Sequence, residues 1–234
     1  MAQENNKRSK DEVTKLLLSI KNLDFEGFEQ SLKKCIRLQI DVASTNLGKE
    51  TEQTSLISDG FSILHQIASE SAGSLRLTET LIDVALSEDV YSSKLNSSTT
   101  HNSSQDDEDA LSMKIRRKRI LKTWLNLKTT TRDSFSALHY AAFHGNLSLM
   151  RLLVRNGGSI TMAGKSGVNL LHVAAQGDSP AAIVYLLHTK NQDVDQIDKE
   201  GLTALHHAAR YGCELSIIYL VSYGAALNLV NCHG

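Results

Sequence analysis

The strongest constraint on this chain is a tetrapeptide that returns at a fixed interval. Ser62-Ile-Leu-His65, Ser136-Ala-Leu-His139, Asn169-Leu-Leu-His172 and Thr203-Ala-Leu-His206 share one pattern, and the last three histidines lie 33 and 34 residues apart. A period of that length means stacked supersecondary units. Further positions keep the register: Ala141-Ala142, Ala174-Ala175 and Ala208-Ala209 follow the histidines, and Leu153, Leu186 and Leu220 recur beyond them. Gly145 and Gly212 fall where one helix gives way to the next, a place for a left-handed residue. Gly157 and Gly224 fall where the second helix ends. In the third unit Gly177 comes one position early, Asp178-Ser179-Pro180 opens the second helix with a cap and a proline, and one extra residue is placed between Thr189 and Val194.

Each unit is legible as two short helices joined by a turn. The Ser, Asn or Thr that opens the tetrapeptide caps the first helix through its side-chain oxygen. The leucine points into the stack, and the paired alanines let neighbouring helices approach closely. One histidine per unit invites a metal reading, but buried polar groups are usually satisfied by hydrogen bonds. These histidines are therefore expected to bond neighbouring backbone.

The flanks are less regular. Residues 1–10 are polar and read as disordered, and 11–57 as a degenerate amino-terminal cap or repeat. Within it, Asp11 to Arg37 predicts two amphipathic helices, the first using Leu16, Leu17, Leu18 and Ile20, the second Phe25, Phe28, Leu32 and Ile36. A first full unit covers 58–87, with helices over Leu64 to Glu70 and Ser74 to Leu86. Residues 88–128 interrupt the period. Ser92 to Asp109 is polar, acidic and expected to be a disordered loop. In it Ser103 and Ser104 stand three residues before acids, a common pattern. Ala110 to Leu127 is expected to be helical, with Leu111, Ile115, Leu121, Trp124 and Leu125 available for packing. Its run from Lys114 to Arg119 has the composition of a nuclear-localisation signal or an acidic-partner site. A solvated helix face is the more frequent role of such runs. Regular units then occupy 129–163, 164–196 and 197–230, and 231–234 begins another. Without an end cap, Ile217, Ile218 and Leu220 are expected to be partly uncovered, as in a piece of a longer protein.

Composition narrows the function. Lys+Arg number 25 against Asp+Glu 26, and aromatics make up 5%. That balance argues against a whole-domain grip on nucleic acid or an anionic membrane. The start lacks the apolar core of a secretory signal. The apolar run Ala181 to Leu187 is far short of the roughly 20 residues a membrane helix needs. Cys35, Cys213 and Cys232 show no CxxC pairing and read as reduced thiols in the cytosol or nucleus. The Asn-x-Ser matches at Asn96, Asn102 and Asn146 are then chance.

No catalytic residue, cofactor site or metal site emerges. Residues 158–166 approach the phosphate-cradling G-x-x-x-x-G-K-[ST] pattern, but Ser159 stands where glycine is needed, and the segment is a loop between units. Cys213 near His206 and His207 has no orienting third group. Cys232-His233 lacks partners at zinc spacing.

From Gly60 to Leu86 and from Thr130 to Gly234 these features resemble the ankyrin-repeat family, the tetrapeptide being a variant of its T-P-L-H. The proline of that motif is replaced throughout by Ile, Ala or Leu, which predicts modest stability. The resemblance implies an all-α solenoid of helix-turn-helix repeats with β-turn fingers: about four recognisable repeats plus the degenerate amino-terminal pair. It also implies binding of a protein partner, with no nucleic acid, across the finger tips and the concave face of the first helices. Carried onto matching positions, the finger residues are Arg132, Asp133 and Phe135, then Lys165, Ser166 and Val168, then Lys199, Glu200 and Leu202. The helix-surface positions are Phe143 with His144, Gln176, and Arg210 with Tyr211. Phe135, Phe143 and Tyr211 suit interface anchors, packing within its own finger being the alternative for Phe135. Asn169 to Asp178, Tyr185-Leu186 and Thr203 to His206 also resemble the ankyrin region of DHHC-type protein S-acyltransferases. There such repeats precede membrane helices and a cysteine-rich catalytic domain, and are thought to recruit substrates. The chain carries no Asp-His-His-Cys motif. The two readings are thus a self-standing adaptor in cytosol or nucleus, and the recruiting arm of a membrane enzyme on its cytosolic face.

Overall fold

Helix pairs recur along the chain at the period of the tetrapeptide. The computed structural model describes residues 2–37, 63–69, 74–86, 114–115, 117–119, 121–129 and 131–232. The start of the first full unit at 59–62, the acidic loop at 92–109 and residues 233–234 lie outside them, as do Leu111 and Arg116. In chain order the helices are α1 (Ala2–Lys21), α2 (Phe25–Arg37), α3 (Ile63–Ser69), α4 (Ser74–Leu86), α5 (Ala137–Phe143), α6 (Leu147–Arg155), α7 (Leu170–Gln176), α8 (Pro180–Val184), α9 (Ala204–Tyr211) and α10 (Glu214–Ser222). Residues 117–119 and 121–125 are also helical. Among the described residues there is no strand, only an isolated antiparallel bridge between Lys128 and Ser136.

First helices stack in a row, α3 on α5, α5 on α7 and α7 on α9, while α4 packs on α6 and α8 on α10. Small residues set that spacing: Ala141, Ala142, Ala174, Ala175 and Ala208 are buried with Leu138, Leu153, Leu171 and Leu186 in one continuous core. Burial of each such leucine contributes on the order of 2 kcal/mol. Ala209 and Ile218, on the outward side of the last repeat, are exposed.

The amino-terminal pair joins the same core, α1 packing on α2 and α2 on α4. Leu16, Ile20, Phe28 and Leu32 are buried, whereas Leu18, grouped with them by sequence, is 52% exposed. Asp24 caps α2 by accepting from Gly27 N at 3.0 Å. Residues 2–10, expected to be disordered, belong to α1. Glu, Gln, Lys and Arg there are good helix formers that prolong a helix whose apolar half is anchored.

The third repeat departs from expectation in two ways. Its left-handed residue is Asp178 (φ 47°), in register with Gly145 (φ 64°) and Gly212 (φ 69°), and not Gly177. The Asp178 carboxylate accepts from Ser216 N at 2.7 Å, supplying to α10 the cap that Cys213 does not provide. The extra residue lies within the helix, where α8 widens into a π turn over Tyr185–Thr189, and not in the following loop. Leu220, expected near an uncovered end, is fully buried because it keeps the inward register of Leu153 and Leu186.

Fingers form between repeats by short backbone bonds: Gly164 N donates to Val168 O at 2.8 Å and Asp198 N to Leu202 O at 2.9 Å. Their turns use Gly167 (φ 80°) and Gly201 (φ 74°), but the first finger puts Ser134 in the same left-handed place (φ 53°). Left-handed strain of about 1–2 kcal/mol exceeds the roughly 0.5–1 kcal/mol entropic cost of a glycine. Ser134→Gly is therefore expected to stabilise the protein by about 0.5 kcal/mol, read as a higher urea midpoint with an unchanged slope.

Candidate functional site

The histidines are the hinge between fold and surface. At α5, α7 and α9 the opening residue's backbone N–H donates to the histidine Nδ1: Ser136 to His139 at 3.2 Å, Asn169 to His172 at 3.2 Å, and Thr203 to His206 at 3.1 Å. Imidazole thus takes the place that Glu or Gln fills in a capping box. With Nδ1 accepting, the proton is assigned to Nε2, which points at the next finger. His65 Nε2 donates to Leu127 O and Phe135 O, each at 3.1 Å. His172 Nε2 donates to Leu202 O at 2.9 Å, and His206 Nε2 to Leu229 O at 3.0 Å. His139 Nε2 is turned toward the backbone of Val168 and Met162 without closing a bond of standard geometry. Burial is the main cause that pushes His65, His139 and His172 down to about 4, so all are neutral near pH 7.

Fingers are tied to one another through their backbones. Lys165 N donates to Asp133 O at 2.9 Å, Lys199 N to Ser166 O at 2.9 Å, and Cys232 N to Glu200 O at 3.1 Å. Arg132, Asp133, Lys165, Ser166, Lys199 and Glu200 are consequently held in a row, all exposed. Lys199 folds back, its Nζ donating to Lys165 O at 2.7 Å. Leu202, proposed from its finger position, is only 8% exposed, because it packs beneath its own turn as the residue next to the cap.

Between the first finger and the first helices lies a groove of about 500 Å³, lined by Gln66, Ser69, Asp133, Phe135, His139, Tyr140, Phe143, His144, Val173 and Gln176. Five of the residues expected from sequence meet here: Asp133, Phe135, Phe143, His144 and Gln176. Arg132, Lys165, Lys199, Glu200, Arg210 and Tyr211 do not line it. Phe135 stacks on His139 at 5.0 Å and meets Tyr140 edge-on at 6.3 Å, so it forms the wall by packing within its own repeat. Phe143 is 41% exposed, with the His144 ring against it at 5.2 Å. Gln176 belongs to a polar chain: its Nε2 lies 2.7 Å from His207 Nδ1, and His207 Nε2 lies 2.9 Å from the Asp198 carboxylate. Asp198 also accepts from Glu200 N and Leu202 N at 2.8 and 2.9 Å, fixing the finger turn. Tyr140, Gln66 and Val173 were missed by sequence reasoning. Tyr140 follows a tetrapeptide histidine at a position that is Val173 in the next repeat, the signal that could have found both.

Cys213 is buried, and its Sγ donates to Gln176 O at 3.3 Å. Burial, then the Asp178 charge, pushes its thiol up, the opposite of an activated nucleophile. Among the described residues no group of three or more His, Cys, Asp or Glu is placed to hold a metal ion, and no helix is long and apolar enough to cross a membrane.

A family model described as Ankyrin repeats (3 copies) matches residues 110–197 and 138–231. The first match begins inside the segment read as an insert, so it includes the helical residues before the first finger. The Notch-regulated ankyrin repeat-containing proteins of Homo sapiens and Xenopus tropicalis are 36% identical over 62 residues, 26% of this chain and 54% of theirs. Protein A of that name from Danio rerio is 36% identical over 62 residues, 55% of its length. The chain thus spans about half the length of the curated relatives it matches. Ankyrin repeats are protein–protein interaction modules, and the matched stretches together cover more than half of the sequence: the chain belongs to the ankyrin-repeat family.

Proposed function

We propose that this chain binds a partner protein in the groove between α3, α5, α7 and the first finger, with the adjoining finger tips as its rim. The observation that carries this reading is Phe143, a large apolar side chain 41% exposed at the edge of a concave surface whose floor is neutral at pH 7. Aromatic side chains in such settings dominate interface energies, and the surrounding Gln66, Asp133, His144 and Gln176 offer orienting hydrogen bonds. A photo-crosslinking residue at position 144 is expected to capture the partner in cells, while the same residue at Ser148, exposed on α6, does not. Phe143→Ala is expected to weaken the captured complex by about 2 kcal/mol, roughly thirtyfold, without lowering the thermal midpoint. Equal capture from position 148, or unchanged affinity after Phe143→Ala, would remove the groove as the site.

A second reading makes the groove the substrate-recruiting surface of a DHHC-type protein S-acyltransferase. It is favoured by the residues from Asn169 to Asp178 and Thr203 to His206. Reading the transcript past the codon for Gly234 tests it. Apolar spans followed by a Cys-rich module support the enzyme, and a stop codon sinks it.

A further inference from the structure

The near-neutral total charge conceals a strong segregation. From 110 to 192 the sequence carries Lys114, Arg116, Arg117, Lys118, Arg119, Lys122, Lys128, Arg132, Arg151, Arg155, Lys165 and Lys190, against Asp133 and Asp178 alone. No acid at all occurs from 134 to 177.

The fold gathers part of this excess into one ridge on the second-helix side, apart from the groove. Lys118, Arg119 and Lys122 are exposed on the helical residues before the first finger. Lys122 lies against the end of α6: a Cβ on Gly157 would stand 3.3 Å from its Cγ, and Asn126 Nδ2 donates to Gly157 O at 2.9 Å. Arg155 and Arg151 are exposed on that same helix, one turn apart. Arg151 and Lys190 then converge on a single ring, their charged groups 5.7 and 5.5 Å from the centroid of Tyr185, which is 6% exposed. Among the described residues Lys122, Arg151, Arg155 and Lys190 have no ion-pair partner; the lysine–carboxylate pairs present are Lys15–Glu12, Lys33–Glu29 and Lys34–Glu12.

A surface built only for solubility interleaves the two signs. Like charges one helical turn apart instead oppose folding, and among the described residues neither Arg151 nor Arg155 has a carboxylate within ion-pair distance. We propose that this ridge is a second binding surface, which takes an extended acidic segment of a partner protein. Side chains one turn apart on a helix are about 6 Å from each other, near the roughly 6.8 Å between alternate residues of an extended strand. Carboxylates at every second position of such a segment therefore meet Arg155 and Arg151 in turn. Arginine binds carboxylate in a two-point fork, and the Tyr185 ring holds Arg151 in place beforehand. Single-stranded nucleic acid fits less well, because its binding surfaces stack bases on exposed rings and the ring here is buried beneath the cations.

The test uses the full chain and a labelled short peptide alternating Glu and Ser. Binding is expected, with affinity falling as KCl rises from about 50 to about 300 mM. A Gln–Ser peptide is expected not to bind. Lys122→Glu/Arg151→Glu/Arg155→Glu should weaken the acidic peptide about tenfold or more. The same positions changed to Gln give the same direction if charge reversal impairs folding. Phe143→Ala is expected to bind this peptide like the wild type, which separates the ridge from the groove. Undiminished binding by the Gln variant overturns the proposal. So does tighter binding of oligouridylate, or of phosphatidylserine-containing vesicles, than of the peptide.

Discussion

Acidification from pH 7 to pH 5 is expected to cost the fold about 6 kcal/mol, a large share of the roughly 5–15 kcal/mol that holds a typical domain. The cause is the row of histidines buried neutral between repeats. His65, His139 and His172 are each pushed down to about 4, chiefly by burial, while an unfolded histidine titrates near 6.5. Between those values the unfolded chain binds more protons than the folded one, so stability falls as pH falls. Each histidine removes about 1.4 kcal/mol per pH unit in that window, and below pH 4 its contribution is constant. Asp198 has the opposite history. Its carboxylate is held low despite burial, by His207 first and then by finger N–H groups, so its loss of stabilisation begins only in the ordinary carboxylate range. Urea titrations at half-unit steps from pH 7.5 to 4.5 measure the slope. His172→Gln, which keeps a capping side chain, should flatten it by about a third. A stability independent of pH between 6.5 and 5 would show that these imidazoles are not buried neutral.

The same histidines show what the sequence made legible. Their recurrence marked the repeat, and the expectation that they bond neighbouring backbone follows from burial alone; His65, His172 and His206 do so across the repeat boundary. The capping role of Nδ1 was not legible, because it depends on the opening residue's backbone N–H lying beside the ring. The ankyrin resemblance, carried over in register, named Phe143 as a helix-surface position and Phe135 as a finger residue, and both line the groove. It did not distinguish Asp133, which lines the groove, from Lys165 and Lys199, which hold the same row but lie beyond it. That difference comes from where helices α3, α5 and α7 converge, a property of three repeats together. The π turn over Tyr185–Thr189 escaped for a related reason. An inserted residue is visible in the count, but whether helix or loop absorbs it depends on packing. Here Tyr185, Leu186 and Leu187 stay buried through the wider turn, which keeps the apolar face continuous.

Gly177→Ala is expected to destabilise the protein by about 3 kcal/mol, against the usual sign for such a change. Gly177 sits at the end of α7 with φ −83° and ψ 4°, a conformation that any residue adopts. Judged by backbone alone, alanine there should stabilise by about 0.4–1 kcal/mol through the unfolded chain. Space decides otherwise. A Cβ on Gly177 would collide with the carbonyl of Phe143, a backbone group of the preceding repeat that cannot swing aside. Ser179 Oγ donates to the same carbonyl at 2.9 Å, so two contacts of the third repeat depend on its position. Displacing Phe143 to admit a methyl group separates α5 from α7 and disturbs the groove those helices share. The apparent early glycine of the third repeat is thus required by close approach, while Asp178 beside it takes the left-handed turn. Gly212 supplies the contrast. Its φ of 69° strains an alanine, yet a Cβ there meets nothing within 4 Å. Gly212→Ala should therefore cost only about 1 kcal/mol. Urea unfolding of both variants measures the order. If Gly212→Ala proves the more damaging, the two repeats are not in contact at Phe143 and Gly177 as described.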